Sequence, residues 1–424
     1  MDYYNYRLLI ISNNVLSRTN NNGKTIYSYI KSLDCQNVRQ LYFSGEIPMI
    51  EGYEYYRLYD KDVIRERFSK IKKGSRILAD PNVEDKWYRE AKHTYGDIQR
   101  LARELLWYNA WSSKELWNWI DEYRPTHIFF HAGDACFAYD ICMAIVKKYH
   151  CKLSVYVTDD YVMKKRDEKI FSKFRRILIR NKLIKCLSMT QTFFTVSDIM
   201  SIDYYKEFKR KSIPIVNITE SLKLDGVHQS DEKIKLIYAG SLYYGRDDLL
   251  KLLGESLCRY NKNNEKKAIL TIYSNTDVKR TSLAAVNIPS VILGGNIGQE
   301  ELKLKYNEAD VIVFVESFQK RYVEKTKYSL STKIPESLSL ERPILAIGPK
   351  DIGSMDVLRD VAYCINDEKE IDESLATFLG NERLQRELAE KSRMLYLEKY
   401  DELKSRKLFL NSVFNGNIDK EICG

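Results

Sequence analysis

At 424 residues the chain exceeds what one hydrophobic core usually organises, and its 44% hydrophobic content is ordinary for a globular protein, so two cores of roughly 200 residues each are expected. No apolar run of about 18 residues is present to cross a membrane, and Met1-Asp-Tyr-Tyr-Asn-Tyr6 lacks the basic-then-apolar layout of a signal peptide, which places the chain in the cytoplasm. The eight cysteines form no Cys-x-x-Cys pair and read as reduced packing residues, while the five histidines form no zinc-type pair, so no structural metal is expected.

The chain opens with short apolar runs separated by helical lengths, the pattern of parallel strands joined by crossover helices. Strands are expected at Leu8–Ser12, Val38–Phe43, His127–His131, Leu153–Thr158, Phe193–Ser197 and Ile215–Ile218. After the first strand, the polar loop Ser12 to Thr25 leads into a helix and therefore lies at a crevice. Its Asn22, Gly23 and Lys24 suit a carbohydrate acceptor or donor phosphates, or they form a solvated turn. Gly23-Lys24-Thr25 is not a nucleotide triphosphate loop, because the required earlier glycine is Arg18. All five tryptophans, Trp87, Trp107, Trp111, Trp117 and Trp119, fall in a helical-looking insertion over residues 61–125, where packing is favoured over sugar stacking.

His131-Ala-Gly-Asp134 ends one strand and opens a helix, and Thr158-Asp-Asp160 ends the next. His131 could orient a sugar or serve structurally, and Asp134 or Asp160 could bind acceptor hydroxyls or relay a proton. Residues 164–185 then carry ten cations against Asp167 and Glu168, nearly the whole formal charge of +9. Ile170, Phe171, Phe174, Ile177, Leu178 and Ile184 interleave with them at helical spacing. That is the layout of a helix resting on an anionic membrane, with Lys173, Phe174, Arg175, Arg176 and Arg180 as the contact set, or of an amphipathic domain helix. Asn217-Ile-Thr219 matches a glycosylation acceptor only by letter, and Glu220–Lys233 is polar and unpatterned, as in a linker.

A second series of strands is expected at Leu236–Ala239, Ile269–Ser274, Val291–Leu293, Val311–Val315, Ile344–Ile347 and Ala362–Ile365. Each series reads as one Rossmann-type unit. Tyr238-Ala-Gly240-Ser241-Leu-Tyr-Tyr-Gly245-Arg246 is a strand, a glycine turn and a helix start, where backbone can approach phosphate and Arg246 offers a planar fork. Further on, Ser331-Thr332-Lys333-Ile-Pro-Glu336 is a polar helix start ahead of the buried strand Ile344–Ile347. Free N–H groups there, with Lys333, would face an anion, and Glu336 could accept from ribose hydroxyls; read alone, the stretch is equally an ordinary capped helix. From Asn381 to Phe414 the chain reads as amphipathic helix, with Leu384, Leu388, Leu395, Tyr396, Tyr400, Leu403, Leu408 and Leu410 as candidate buried positions.

Tyr238–Arg246, the run from Val291-Ile-Leu-Gly-Gly295 through Ala309-Asp310 to Glu316-Ser317, and Ser331–Glu336 with Arg342-Pro-Ile-Leu345 together resemble the nucleotide-sugar domain of retaining GT-B glycosyltransferases of family 4, especially those of bacterial capsule and surface polysaccharide. The resemblance implies an α/β fold with two Rossmann-like domains facing across a cleft, over 1–222 and 223–398, and a last helix over 399–424 that crosses back onto the first domain. It implies that Arg246 and Lys333 hold the donor diphosphate and act catalytically without metal, as cations on the leaving group. Gly240, Ser241, Ser274, Ser331 and Thr332 line the donor, and Glu336 holds its ribose. The arginine that the family carries after the first glycine is Ser241 here. Its first glutamate is Tyr328, with Glu316 a candidate substitute. His131, Asp134 and Asp160 complete the expected catalytic set. No cofactor is expected beyond a donor of UDP or GDP type, and the partners implied are a nucleotide sugar, a saccharide or lipid-linked saccharide acceptor and an anionic membrane surface. The alternatives are a GT-B sugar-phosphate enzyme such as an epimerase or synthase, and a basic nucleic-acid binder, for which no reader motif is present.

Overall fold

A computed structural model describes residues 6–18, 21–63, 74–81, 96–166, 168–216, 218, 233–284 and 287–415. The chain divides into two compact units, residues 1–217 with 405–424, and residues 218–404. The expected linker over 220–233 lies, except for Lys233, outside the described residues, as does Trp87.

The first unit is built on an eight-stranded sheet in the order β4-β3-β2-β1-β5-β6-β7-β8. Its strands are β1 (Leu8–Ser12), β2 (Val38–Tyr42), β3 (Glu54–Arg57), β4 (Ser75–Ile77), β5 (His127–Ala132), β6 (Lys152–Val157), β7 (Thr192–Thr195) and β8 (Ile213–Pro214). All neighbours are parallel except β3 and β4. Helices α1 (Asn21–Ile30), α2 (Asp97–Trp107), α3 (Lys114–Tyr123), α4 (Cys136–Tyr149), α5 (Ile170–Leu187) and α6 (Asp198–Phe208) connect them. Leu8–Ser12 is buried at every position, as expected of a central parallel strand covered on both faces.

Two sequence expectations shift here. The last strand is Ile213–Pro214, because these residues pair with Phe194 and Thr195, and the apolar Ile215 and Ile218 follow it. The insertion over 61–125 contains a strand, β4, as well as helices. Packing accounts for Trp107 and Trp119, each 1% exposed. Trp107 stacks on Phe137 at 3.6 Å and donates to Asp60.

The second unit carries a six-stranded, wholly parallel sheet in the order β11-β10-β9-β12-β13-β14. Its strands are β9 (Lys233–Ala239), β10 (Lys267–Tyr273), β11 (Val291–Gly295), β12 (Val311–Val315), β13 (Ile344–Ile347) and β14 (Tyr363–Ile365). The helices are α7 (Arg246–Asn263), α8 (Gln299–Asn307), α9 (Lys320–Thr326), α10 (Lys333–Leu338), α11 (Gly353–Leu358), α12 (Ile371–Leu379) and α13 (Glu382–Leu395). Leu249, Leu250, Leu253 and Leu257 of α7 bury their side of the helix against the sheet with Leu236, Leu270 and Val313.

A π-helical turn over Tyr396–Tyr400 ends α13, and the final helix α14 (Glu402–Phe414) packs on the first unit. Phe409 of α14 lies 4.4 Å from the Tyr29 ring, 5.0 Å from Phe129 and 5.5 Å from Phe194. Thr192 donates to the Ser412 carbonyl at 2.7 Å, and Arg406 to that of Ser28 at 3.1 Å. Leu403, expected to be buried, is exposed.

Candidate functional site

In the second sheet the first three strands run outward in one direction and the next three in the other, the 3-2-1-4-5-6 order whose reversal leaves a crevice between the first and fourth strands. Those strands are β9 and β12, and the glycine turn after β9 meets the end of β12 there. Gly240 donates its N–H to the Tyr273 carbonyl at 3.0 Å, and a Cβ at Gly240 would lie 2.9 Å from the Tyr238 hydroxyl. The left-handed backbone falls further on, at Tyr244 (φ 64°) and Gly245 (φ 72°). A side chain at Gly245 would collide with Ser317 Oγ at 2.8 Å, so only glycine lets the turn lie against β12. Tyr238 donates to the Ser241 carbonyl at 2.7 Å, and Ser241 Oγ accepts from the N–H of Tyr243.

Arg246, the first residue of α7, reaches Glu316, the first residue after β12, with 2.7 Å between guanidinium nitrogen and carboxylate oxygen. The Glu316 side chain is 4% exposed. Burial pushes its carboxyl above the usual carboxylate range, and Arg246 pulls it back. The expected substitute for the missing family glutamate is thus paired with a cation, and its geometric effect is to aim Arg246. Arg246 lies 5.9 Å from the centre of the Tyr244 ring, and Lys325 of α9 lies at the same distance from that ring.

The second predicted element is shorter than its sequence suggests. Helix α10 spans six residues, too few for a large dipole, so the positive charge here resides mainly in the Lys333 side chain. Thr332 stands at the helix boundary without a side-chain cap bond, while Ser331 Oγ accepts the N–H of Lys333 at 3.3 Å. Lys333 Nζ lies 3.1 Å from Glu336 Oε2, so the expected phosphate and ribose residues are partners of each other. Burial raises the hydroxyls of Tyr306 and Tyr238 above the usual tyrosine range; Glu336 adds to the first, while Arg246 opposes the second and Glu316 adds to it. Ser274 braces its own loop, accepting from the N–H of Thr276 at 3.1 Å. Sequence reasoning missed Tyr244 and Lys325; the Tyr-Tyr-Gly before Arg246 was the visible signal for the first, and nothing local marked the second.

In the first unit, His131 at the end of β5 is 5% exposed. One ring nitrogen lies 3.0 Å from Thr158 Oγ1, and Nδ1 has no hydrogen-bond partner among the described residues. Burial lowers the imidazole to about 4, so the ring is neutral at physiological pH. Thr158 in turn donates to Asp159, whose carboxyl burial raises. Asp134 and Asp160 hold other positions than an open catalytic carboxylate would. Asp134 is clamped by Arg100 and Arg175. Asp160 accepts from the N–H groups of Val162 and Met163 and from the Tyr204 hydroxyl, which fixes a loop. Glu104, unmarked in the sequence reading, accepts from the N–H groups of Cys136 and Phe137 at the start of α4.

On the loop after β1, Gln40 and Glu46 accept from the N–H groups of Leu16 and Val15. A Cβ at Gly23 would lie 2.0 Å from the Val15 carbonyl oxygen, so Gly23 is needed where α1 crosses that loop. Asn22 and Lys24 flank it, half-exposed.

Helix α5 corrects the predicted membrane contacts. Arg175 is buried against Asp134 and Asp97, Arg176 pairs with Glu168 at 2.8 Å, Arg180 with Glu207, and Lys182 with Asp140. These four cations tie α5 to its own unit, whereas Lys173 and Phe174 are exposed. Among the described residues no helix is long and apolar enough to cross a membrane, and no cluster of metal-ligating side chains occurs.

No protein-family model and no curated protein matches the chain. Solved structures do. Sucrose-phosphate synthase from Thermosynechococcus elongatus superposes with a TM-score of 0.60 at 12% identity, over 97% of this chain and 100% of that one. HepE of Anabaena, in complex with UDP, gives 0.59 at 9% identity over 96% and 100%. A glycosyltransferase from Rickettsia africae gives 0.57 at 10% identity over 98% and 100%. The chain adopts the GT-B fold, with a sheet that is parallel but for β4 in the first unit and wholly parallel in the second.

Proposed function

We propose that the protein is a retaining glycosyltransferase of the family 4 type that moves a hexose-type sugar from a nucleoside diphosphate donor to a saccharide or lipid-linked saccharide, in bacterial surface-polysaccharide synthesis. The observation that carries this reading is the Arg246–Glu316 pair at the strand-order reversal of the second unit, where a turn with little room for side chains meets an oriented guanidinium. The donor is of UDP or GDP type in this reading, and the UDP bound to the Anabaena structure of the same fold supports the uridine member of that pair.

In this reading the sugar carbon exchanges its bond to a phosphate oxygen for one to an acceptor oxygen on the same face. The acceptor hydroxyl loses its proton, and negative charge grows on the departing diphosphate. Arg246, aimed by Glu316, and Lys333 neutralise that charge through charge-assisted hydrogen bonds. Glu336 holds ribose once the donor draws Lys333 away. His131, neutral through burial, serves as a hydrogen-bonding group for the sugar or the acceptor.

The test is a panel of UDP, GDP and their sugars. A preferred nucleotide raises the melting temperature through binding to the folded state alone. Turnover with a saccharide acceptor then releases nucleoside diphosphate together with a glycoside of unchanged anomeric configuration. Absence of both effects across the panel overturns the reading, and nucleotide release without a glycosidic product redirects it to sugar-phosphate chemistry.

A further inference from the structure

The four internally paired cations of α5 leave a different set of side chains outward. Ile170, Phe174, Ile177 and Ile184 recur at intervals of four, three and seven residues, which places them along one face of the helix. All are exposed, Ile170 at 78% and Phe174 at 55%, and Phe171 at the same end is exposed as well. The opposite face, with Arg175, Ile179, Leu183 and Cys186, is buried in the unit. An amphipathic domain helix presents its apolar stripe inward; α5 carries a second stripe outward. Beside it α2, held to α5 where Ser172 donates to Asp97, exposes Ile98 and Leu105.

The charges flanking this stripe have one sign. Of the ten cations over 164–185, four are held by carboxylates of the unit. The other six, Lys164, Lys165, Arg166, Lys169, Lys173 and Lys185, are exposed and pair with no described carboxylate. Scattered apolar side chains on a surface need no explanation, but a continuous helical stripe bordered by cations that meet no described carboxylate does.

We propose that the outward face of α5 is a docking surface for an anionic lipid bilayer. The helix lies in the plane of the headgroups, with Phe171, Phe174 and Ile177 entering the acyl boundary and the six exposed cations meeting lipid phosphates. A protein partner of comparable size would have to supply carboxylates along the entire rim, whereas an anionic bilayer offers phosphate groups everywhere. This inference stands apart from the proposed transfer reaction, since lipid binding needs no nucleotide sugar.

Sedimentation of the full chain with vesicles tests it, using phosphatidylcholine alone and phosphatidylcholine with 30% phosphatidylglycerol, at low and high ionic strength. Wild-type protein partitions onto the anionic vesicles at low salt and leaves them at high salt, because each cation near the surface contributes roughly a fivefold factor that ions screen. Lys165→Gln/Lys169→Gln/Lys173→Gln lowers partition at least about tenfold, and Phe171→Ser/Phe174→Ser does the same through lost insertion, both with unchanged melting temperature because the side chains are exposed. Arg180→Gln, which breaks an internal pair, leaves partition within about twofold. Failure of wild-type protein to bind phosphatidylglycerol vesicles at low salt overturns the proposal. So does light scattering that shows Phe171→Ser/Phe174→Ser dissociating a dimer while vesicle binding persists.

Discussion

Arg246 and Glu316 lie 70 positions apart in sequence yet share one short hydrogen bond of 2.7 Å, in which the carboxylate is nearly sealed from solvent at 4% exposure and the arginine side chain, though largely buried, keeps 18%. The pair is asymmetric. Glu316 has no other ion pair among the described residues, so removing the arginine strands a buried charge, while removing the carboxylate leaves an arginine that solvent or an anion can satisfy.

Arg246→Ala is therefore expected to lower stability by about 3 kcal/mol and to weaken nucleoside diphosphate binding by at least about tenfold. Glu316→Gln costs less stability, because the amide keeps a hydrogen bond without the buried charge, and its main effect is on the aim of Arg246. Urea unfolding with and without UDP and GDP separates the two effects; equal losses in both variants contradict the asymmetry.

His131 supplies a pH dependence with a definite sign. Its folded-state value is about 4, below the ordinary 6.5. The folded protein thus binds fewer protons than the unfolded chain between those values. The associated stability is full above pH 6.5 and is lost as pH falls towards 4, by on the order of 3 kcal/mol. His127, also lowered to about 4 by burial, adds to the same trend. His131→Gln should flatten the fall in urea midpoint between pH 7 and 4.5, and an unchanged slope would show that His131 is not its source.

Tyr244 holds a left-handed backbone with a bulky side chain, a conformation that costs on the order of 1 kcal/mol. Tyr244→Gly should raise the melting temperature despite the lost edge contact with Tyr322 at 5.9 Å. It should also weaken donor binding, since the ring stands beside both Arg246 and Lys325. A stabilised variant with unaltered nucleotide affinity assigns the strain to the turn alone.

Phe409 fills a space bounded by Tyr29, Phe129 and Phe194. Phe409→Ala is expected to lower the stability of the first unit by about 3–5 kcal/mol. Hydrogen exchange should show the loss in β5 and β7 and leave β9 and β12 protected; uniform loss across both sheets would mean that the units unfold together.

Most of the strands of both sheets were legible because parallel strands buried on both faces, such as Leu8–Ser12 and Val311–Val315, are continuous apolar runs. Glu54-Tyr-Tyr-Arg57 escaped notice because its buried tyrosines sit between charged ends. The turn carrying Gly240 and Arg246 was visible as a pattern, but the pairing of Arg246 with Glu316 depends on the order of strands in the sheet. The cations of α5 show the same limit. Arg175, Arg180 and Lys182 read like their free neighbours, because Asp134, Glu207 and Asp140 come from other elements. Charge density is written in the sequence, and charge compensation only in the fold.

The position of α14 orders events during synthesis. Residues 218–404 form an uninterrupted unit, whereas the first unit takes in residues 405–424. A ribosome adding roughly 5–20 residues per second has thus made all of residues 218–404 before Phe409 can reach the aromatic cluster that it fills. The half translated first waits for the half translated second, and the nascent first unit leaves Tyr29, Phe129 and Phe194 without their lid for that interval.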